Sequence, residues 1–259
     1  MKIWFHADDF GRSPAISRNI LDVIYNGLIG SVSVMVDEVS DEHIELKNIN
    51  DLKIKLHLNL TEKKFLIKKN NKNIEKQFNF LTLFLASRKW KVAIKKEIDK
   101  QIKTYITLFE LNELRVDGHE HAHIVPWIYS YIINQKQVEV VEIRYPDEDI
   151  FYVNNRFLSI VHFYRNLFLL LSVKFLFKLK KYKKINPPIF HGLLYSSLYD
   201  EEVLKKNIER CKSLNKDVEI LLHPGQTKFS ERKNFDKKYF DFYISNQRNI
   251  EKDILKNSN

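Results

Sequence analysis

Seven short runs rich in apolar and β-branched residues are spaced along the chain, and helical periodicity fills segments between them. The runs cover residues 2–8, 30–36, 53–60, 113–119, 137–145, 187–193 and 217–224. Strands that alternate with helices pair in parallel, because a parallel connection needs a crossover. We therefore predict one α/β domain over residues 1–259, a distorted (βα) barrel of about seven parallel strands. A doubly wound open sheet is the alternative.

Polar side chains with useful chemistry stand where these predicted strands end. They are Asp8, Asp9, His57, Asn59, Asp117, His119, Arg144, His191 and His223. The active sites of parallel α/β folds form at the carboxyl edge of the sheet, because the loops there carry side chains from several strands. Residues with purely structural roles would scatter over both strand ends. The placement therefore favours an active site.

The stretch DGHEHAH (117–123) carries three imidazoles at two-residue spacing and two carboxylates. Such a cluster is typical of a metal site and does not have the spacing of a metalloprotease HExxH helix. The single cysteine, Cys211, excludes a four-cysteine zinc site. No glycine-rich loop follows the first strand, and the chain has only 6 glycines, which weighs against a nucleotide-binding fold.

Four motifs together resemble the YdjC-like (ChbG-type) carbohydrate deacetylases along nearly the whole chain. They are HADDFG (6–11), LHLNLTE (56–62), DGHEHAH (117–123) and LLHPG (221–225). The resemblance implies a distorted barrel that removes acetyl groups from N-acetylated amino sugars with a bound divalent metal, Mg²⁺ or Zn²⁺. His6 stands where that family usually has Asn, so the resemblance does not indicate which sugar this protein would act on.

By this resemblance Asp9, His57 and His119 are metal ligands, Asp8 is the general base, and His223 is the general acid. A metal on one carboxylate and two imidazoles lowers the pKa of bound water and polarises a carbonyl, as amide hydrolysis requires. His119 at a strand end has no comparable plainer explanation, but the others do, and for His223 it is a core histidine or one that orients a ligand. Asp9 could be a turn residue, His57 a buried hydrogen-bonded histidine, and Asp8 an aspartate that orients a ligand.

Further candidates for contact with the sugar are less specific. They are Asn59, Glu62, His121, His123, Arg144 and His191. His121 and His123 could line the sugar site or orient the metal ligands. Arg144 could equally form a surface pair with Asp147 or Glu148.

The segment FLSIVHFYRNLFLLLSVKFLFKLKKYKK (157–184) is apolar and aromatic, then basic. It cannot span a bilayer, because only eight uncharged residues separate Arg165 from Lys174 and a span needs about 20. We consider a basic amphipathic insertion that lies on an anionic membrane, or a helix that covers the barrel. The first would suit a lipid-carrier-linked amino sugar, and the second a soluble chito-oligosaccharide.

The net charge of +10 permits acidic partners, but no nucleic-acid module is recognisable, so we expect a solvated basic surface and no nucleic-acid binding. The amino terminus lacks a signal-peptide pattern, which predicts a cytoplasmic protein or one peripheral to the inner membrane. A metal-free sugar-binding protein is the competing class, and a homodimer is compatible with the sequence.

Overall fold

The computed structural model describes residues 2–69, 72–145, 148, 150–154, 160–180, 188–213 and 216–257. The strands are β1 (Ile3–Phe10), β2 (Ser31–Val34), β3 (Lys53–Leu58), β4 (Lys64–Lys69), β5 (Lys72–Gln77), β6 (Glu113–Gly118), β7 (Glu139–Ile143), β8 (Ile189–His191) and β9 (Val218–Leu222). The helices are α1 (Pro14–Tyr25), α2 (Asp41–Lys47), α3 (Phe80–Phe84), α4 (Arg88–Leu108), α5 (Pro126–Ile133), α6 (Ile160–Lys180), α7 (Glu201–Lys212), α8 (Lys237–Tyr243) and α9 (Gln247–Asn257). Among these helices, none has the combined length and apolar character that crossing a membrane requires.

The main sheet has seven parallel strands in the order β7-β6-β3-β2-β1-β9-β8. Each strand lies within one of the seven runs singled out in the sequence or overlaps it. In a flat sheet, six spacings of about 4.8 Å would place β7 and β8 about 29 Å apart. However, the guanidinium of Arg144, just after β7, lies 4.8 Å from the ring centroid of Phe190 on β8. The sheet is therefore curled into a half-barrel, which confirms the predicted distorted barrel.

A two-stranded antiparallel hairpin of β4 and β5 follows the β3 motif and was not predicted. Its strands are rich in lysine, and most of β5 is exposed. Without an apolar face that repeats every second residue, the sequence gives little sign of these strands.

Helix α1 shows how local sequence places the elements around the sheet. The Ser13 hydroxyl accepts a hydrogen bond from the Ile16 N–H at its start, and Pro14 occupies the first turn. Gly27 follows the helix with φ of 70°, a conformation that glycine adopts without steric cost. The first helix is thereby held between β1 and β2 with one face buried.

A buried ion cluster connects three strands across the concave face of the sheet. The Lys55 ammonium on β3 lies 2.6 Å from a Glu142 oxygen on β7 and 2.6 Å from a Glu219 oxygen on β9. Burial alone would lower the pKa of Lys55, but Glu219 and Glu142 raise it above its ordinary value. The ammonium therefore stays charged, and its two partners bind the curled sheet together from inside.

We expect Lys55→Met to reduce the free energy of unfolding by about 3 kcal/mol or more, because removing one member of a buried ion cluster leaves uncompensated charge. Urea unfolding monitored by circular dichroism measures the change. Lys103→Met, at an exposed lysine on α4, is the control and should change stability by about 0.5 kcal/mol or less. Equal effects in the two variants would contradict a role for the cluster in holding the curl.

Candidate functional site

The end of β1 turns two consecutive carboxylates toward the same edge of the sheet. Neighbouring residues of a regular strand point to opposite faces. Asp9, however, has φ of 71°, and the pairing of β1 with β2 shifts register between Ala7 and Phe10. This left-handed backbone is unusual for a residue with a side chain and concentrates at functional sites. It allows Asp8 and Asp9 to contribute to one cluster.

Asp9, His57 and His119 come together from the ends of β1, β3 and β6. Asp9 Oδ1 lies 3.4 Å from His57 Nε2 and 3.4 Å from His119 Nδ1, and the three donor atoms lie within 4.8 Å of one another. All three side chains are buried, and Asp9 Oδ1 has no hydrogen bond within the described residues. One carboxylate oxygen and two imidazole nitrogens that converge in this way fit a divalent metal ion.

Each histidine of the cluster has a carboxylate at its other ring nitrogen. His57 Nδ1 lies 2.6 Å from Asp117 Oδ1, and His119 Nε2 lies 2.9 Å from Glu62 Oε1. Such carboxylates fix the orientation of a metal-bound imidazole and increase its basicity. The arrangement therefore leaves one nitrogen of each ring directed at Asp9.

Arg248, from α9, holds the third member of the cluster. Its Nη1 donates to Asp9 Oδ2 at 2.8 Å, which leaves Oδ1 facing the histidines. The same guanidinium donates from Nε to the Gly225 carbonyl at 2.8 Å. Gly225 has φ of 86°, and a Cβ there would lie 2.1 Å from Asn19 Cβ. Arg248 thus fixes Asp9 and the tight turn that follows His223.

Both histidines of the cluster hold a proton strongly while no cation is bound. Burial alone would lower the pKa of His57, but Asp8 and Asp117 raise it to about 9. Burial would also lower the pKa of His119, but Glu62 and Asp9 raise it to about 10. The carboxylates that face the two rings would attract a cation as they attract these protons.

Arg144, just after β7, lies inside the half-barrel against Asp8. Its two terminal nitrogens donate to the two Asp8 oxygens at 2.9 Å each, and Nη2 also lies 2.7 Å from Asp117 Oδ2. The predicted alternative, a surface pair with Asp147 or Glu148, is wrong for Glu148, because Arg144 is buried and the Glu148 carboxylate accepts backbone N–H groups. Asp147 lies outside the described residues. The curl of the sheet carries Arg144 inward.

Asp8 is held on several sides as an ionised carboxylate. Burial alone would raise its pKa, but Arg144 and His57 hold the pKa well below its ordinary range. His6 Nε2 lies 2.9 Å from Asp8 Oδ1. Because Asp8 is ionised throughout the neutral range, it is available to accept a proton or a hydrogen bond.

A second group of potential ligands lies beside the first but already contains a cation. Donor atoms of His6, Asp8 and Asp117 lie within 4.8 Å of one another. The Arg144 guanidinium contacts both carboxylates of this group. The positive charge of that guanidinium opposes a second metal ion there, so the described residues favour one metal ion in the cluster of Asp9, His57 and His119.

His223 follows β9 at the same edge. In the register of β9 with β1 the last pair is Leu222 with Ala7, so His223 and Asp8 each directly follow that pair. Its backbone N–H donates to Glu251 Oε2 at 2.6 Å, while Nδ1 lies 3.7 Å from the same oxygen. His223 therefore stands at the end of the strand next to β1, at the edge of the sheet that carries the cluster.

The remaining predicted substrate residues are mostly buried around the cluster. The Asn59 side-chain oxygen accepts the Glu62 N–H at 3.1 Å and so shapes the loop that brings Glu62 to His119. His123 Nε2 lies 2.9 Å from the Arg144 carbonyl. The ring centroid of His121 lies 6.1 Å from that of Phe190 on β8, and His191 is buried at the end of that strand. Their contact with a sugar stays a prediction.

Burial lowers the pKa of His121 to about 3 and that of His123 to about 4, with Arg144 adding to both shifts. The two imidazoles of this motif are therefore neutral, whereas His119 of the same motif is charged when no cation is bound. Neutral rings can present either a donor or an acceptor to a sugar hydroxyl.

Three residues of the site escaped the sequence interpretation. Arg12 Nε donates to Glu62 Oε2 at 2.5 Å, and the Tyr243 hydroxyl donates to Glu62 Oε1 at 2.7 Å. The third is Arg248. Arg12 adjoins the first motif and could have been suspected. Tyr243 and Arg248 belong to α8 and α9, whose sequences carry no motif that points to the site.

Comparison with known proteins places these features in a family. The family model described as YdjC-like protein matches residues 2–259. A Vibrio vulnificus protein named carbohydrate deacetylase is 30% identical over 148 residues, which are 56% of this chain and 58% of that protein. A Vibrio cholerae protein of the same name is 32% identical over 136 residues, 51% of this chain and 54% of that protein. The aligned parts thus span little more than half the length of these curated relatives.

The fold also has a counterpart among solved structures. A crystal structure of an Enterococcus faecalis protein, described as a candidate cellobiose-phosphate cleavage protein, superposes with a TM-score of 0.59. It covers 98% of this chain and 89% of its own, at 16% sequence identity. At that identity the likeness supports the fold alone.

We expect His57→Ala and His119→Ala each to remove most bound metal while the fold survives, because each deletes one of three convergent donors. Metal content after equilibration with Zn²⁺ and dialysis measures the loss, and circular dichroism checks the fold. His162→Ala is the matched control, since His162 is exposed on α6 and should leave metal content unchanged. Full occupancy in either cluster variant would disprove the ligand assignment.

Metal affinity should rise between pH 7 and pH 9. With pKa values of about 9 and about 10, His57 and His119 are both protonated at pH 7, and a cation must displace those protons. Affinity should therefore increase by up to about two decades per pH unit in this range. Competition with a chromophoric chelator, corrected for protonation of the chelator, measures the slope. An affinity independent of pH would show that both imidazoles are neutral in the empty site.

Proposed function

Because the chain belongs to the YdjC-like family, we propose that it is a metal-dependent hydrolase that removes the acetyl group from an N-acetylated amino sugar. The observation that carries this proposal is the buried cluster of Asp9, His57 and His119, in which every ligand is oriented by an outer partner. The relatives named carbohydrate deacetylase support a carbohydrate substrate.

The donor set favours Zn²⁺ or another first-row transition metal over Mg²⁺. Two imidazole nitrogens and one carboxylate are ordinary zinc ligands, whereas Mg²⁺ prefers oxygen donors. A divalent cation held there would polarise the amide carbonyl and lower the pKa of water. Asp9, His57 and His119 supply three protein ligands, and a catalytic zinc site with three such ligands keeps a position for substrate and water.

Asp8 is the proposed general base. Its carboxylate is ionised at neutral pH, and Arg144 and His6 hold it in place. A carboxylate with so low a pKa is a weak base in bulk water, but it suffices for water whose own pKa has been lowered. Arg144 therefore lowers the basicity of the Asp8 carboxylate, but it fixes the position of that carboxylate and keeps it ionised.

His223 is the proposed general acid. The departing amine needs a proton, and a histidine that ends the strand next to that of Asp8 can supply it. The Glu251 carboxylate accepts the His223 backbone N–H at 2.6 Å and lies 3.7 Å from Nδ1, so it holds His223 at this edge of the sheet. The tight turn after His223, which Arg248 fixes, limits the movement of the His223 ring.

A metal-free sugar-binding protein is the weaker alternative. Such a protein would have no need to converge three donor atoms of Asp9, His57 and His119 in a buried place. Asp9 Oδ1 is buried and has no hydrogen bond within the described residues. A buried carboxylate oxygen without a partner is costly, and a bound cation would supply that partner.

Two variants separate the base from the ligand. We expect Asp8→Asn to retain metal and lose about 100-fold or more in turnover, the usual scale for removing a general base. Asp9→Asn should instead lose metal affinity. Acetate release from N-acetylated chito-oligosaccharides by the Zn²⁺-loaded protein measures turnover, and elemental analysis measures metal. Equal metal loss in both variants would contradict the division of roles, and no acetate release by the wild type from any N-acetylated sugar would contradict the function.

A further inference from the structure

Helix α6 carries apolar side chains on two opposite faces. Its inner face includes Phe163, Leu170 and Val173, which are buried. Six large apolar residues are exposed, at 48–75% of their surface: Ile160, Val161, Tyr164, Phe168, Leu171 and Phe175. At 100° per residue these six fall within an arc of about 100°, opposite the buried side chains. We call this arc the outer stripe.

The inner face of α6 rests on loops at the carboxyl edge of the sheet, the edge that carries the candidate site. Lys174 Nζ donates to the Glu148 carbonyl at 2.6 Å, after β7. Asn166 Nδ2 donates to the Leu194 carbonyl at 3.2 Å, after β8. The Glu148 carboxylate accepts the Gly192 N–H at 2.5 Å and so joins the two loops. The outer stripe therefore faces solvent beside the mouth of the half-barrel.

Positive charge continues the outer stripe in the sequence. Lys178 is exposed and lies on the same side of α6 as Ile160 and Tyr164. Residues 178–184, KLKKYKK, contain five lysines. Residues 157–159 and 181–184 of the predicted amphipathic segment lie outside the described residues, so only the part from 160 to 180 is placed. Within that part, Lys174 points to the Glu148 carbonyl and not along the stripe.

We propose that the outer stripe docks on the surface of an anionic lipid bilayer, with α6 parallel to the membrane plane. Aromatic and aliphatic side chains, followed in the sequence by five lysines, match the apolar boundary and the anionic headgroups of such a surface. A second copy of this chain would bring its own excess of positive charge to the contact, which opposes association. The charge of the segment thus favours the bilayer as the occupant.

Docking through the outer stripe would bring the mouth of the half-barrel to the membrane. If the proposed deacetylase activity holds, this position favours an amino sugar linked to a lipid over a freely soluble one. Only this consequence rests on the proposed function. The docking itself rests on α6 and on the lysines of residues 178–184.

Co-sedimentation of the full chain with vesicles tests the proposal. Wild type should bind vesicles of phosphatidylcholine with one quarter phosphatidylglycerol at least tenfold more tightly than phosphatidylcholine alone, and salt should weaken that binding. The triple variant V161Q/F168Q/F175Q should lose at least tenfold in binding to the anionic vesicles. Replacing the five lysines of residues 178–184 by glutamine should lose at least tenfold and remove the dependence on salt.

Matched controls separate the stripe from general effects of composition. L81Q/L85Q/V92Q changes three other exposed apolar residues, and five lysine-to-glutamine changes at exposed positions remove the same charge elsewhere: Lys72, Lys89, Lys96, Lys100 and Lys103. Both controls should bind within twofold of wild type. Thermal unfolding midpoints and acetate release from a soluble chito-oligosaccharide should be the same in all variants.

The proposal is overturned if wild type does not bind anionic vesicles, or if the controls weaken binding as much as the stripe variant does. Light scattering that shows a wild-type dimer, dissociated by V161Q/F168Q/F175Q, with no vesicle binding would assign the stripe to a second copy instead. Vesicle binding without acetate release by any variant would leave the docking surface supported and the proposed deacetylase function refuted.

Discussion

The site depends on one buried guanidinium. Arg144 contacts Asp8 and Asp117 at the carboxyl edge, and its Nη2 lies 3.6 Å from a Glu219 oxygen in the interior. Without a positive charge at this point, three carboxylates from three strands would repel one another in a medium that screens charge poorly. Arg144 therefore allows β1, β6 and β9 to place acidic groups close together, as the proposed metal-dependent activity requires.

The same guanidinium also distinguishes two aspartates that are adjacent in the sequence, because it contacts Asp8 and a different arginine contacts Asp9. Asp8 is held by Arg144 and lies 4.0 Å from His57 Nδ1, whereas Asp9 is held by Arg248 and turns its free oxygen toward His57 Nε2 at 3.4 Å. The left-handed backbone of Asp9 makes this separation possible. The ion pair of Asp9 with Arg248, which lies near the other end of the chain, stabilises that strained conformation. Two neighbouring residues of the same type thus have different cationic partners, which is the basis of the different roles proposed for them.

How far the sequence predicts this structure differs between the sheet and the site. The seven strands were predictable because each is a short apolar run, and the motif residues were predictable because parallel strands end at one edge. The roles of Arg144 and Glu62 were not, because they depend on the curl of the sheet and on the path of a loop. Arg248 could not be found from a pattern, since α9 has the composition of an ordinary basic surface helix and only the tertiary fold brings it to Asp9.

Helix α6 shows a second limit of periodicity. A helix with one apolar face has a clear pattern, but in α6 the inner and outer faces are both apolar, so the sequence indicates only that the segment is hydrophobic. The structure separates the faces, because Asn166 and Lys174 bind loop carbonyls on one side and Phe168 and Phe175 are exposed on the other. The polar contacts of the inner face fix the rotation of the helix about its axis. That rotation turns the outer stripe away from the core. The apolar surface beside the mouth of the half-barrel therefore follows from the contacts that hold α6 in the fold.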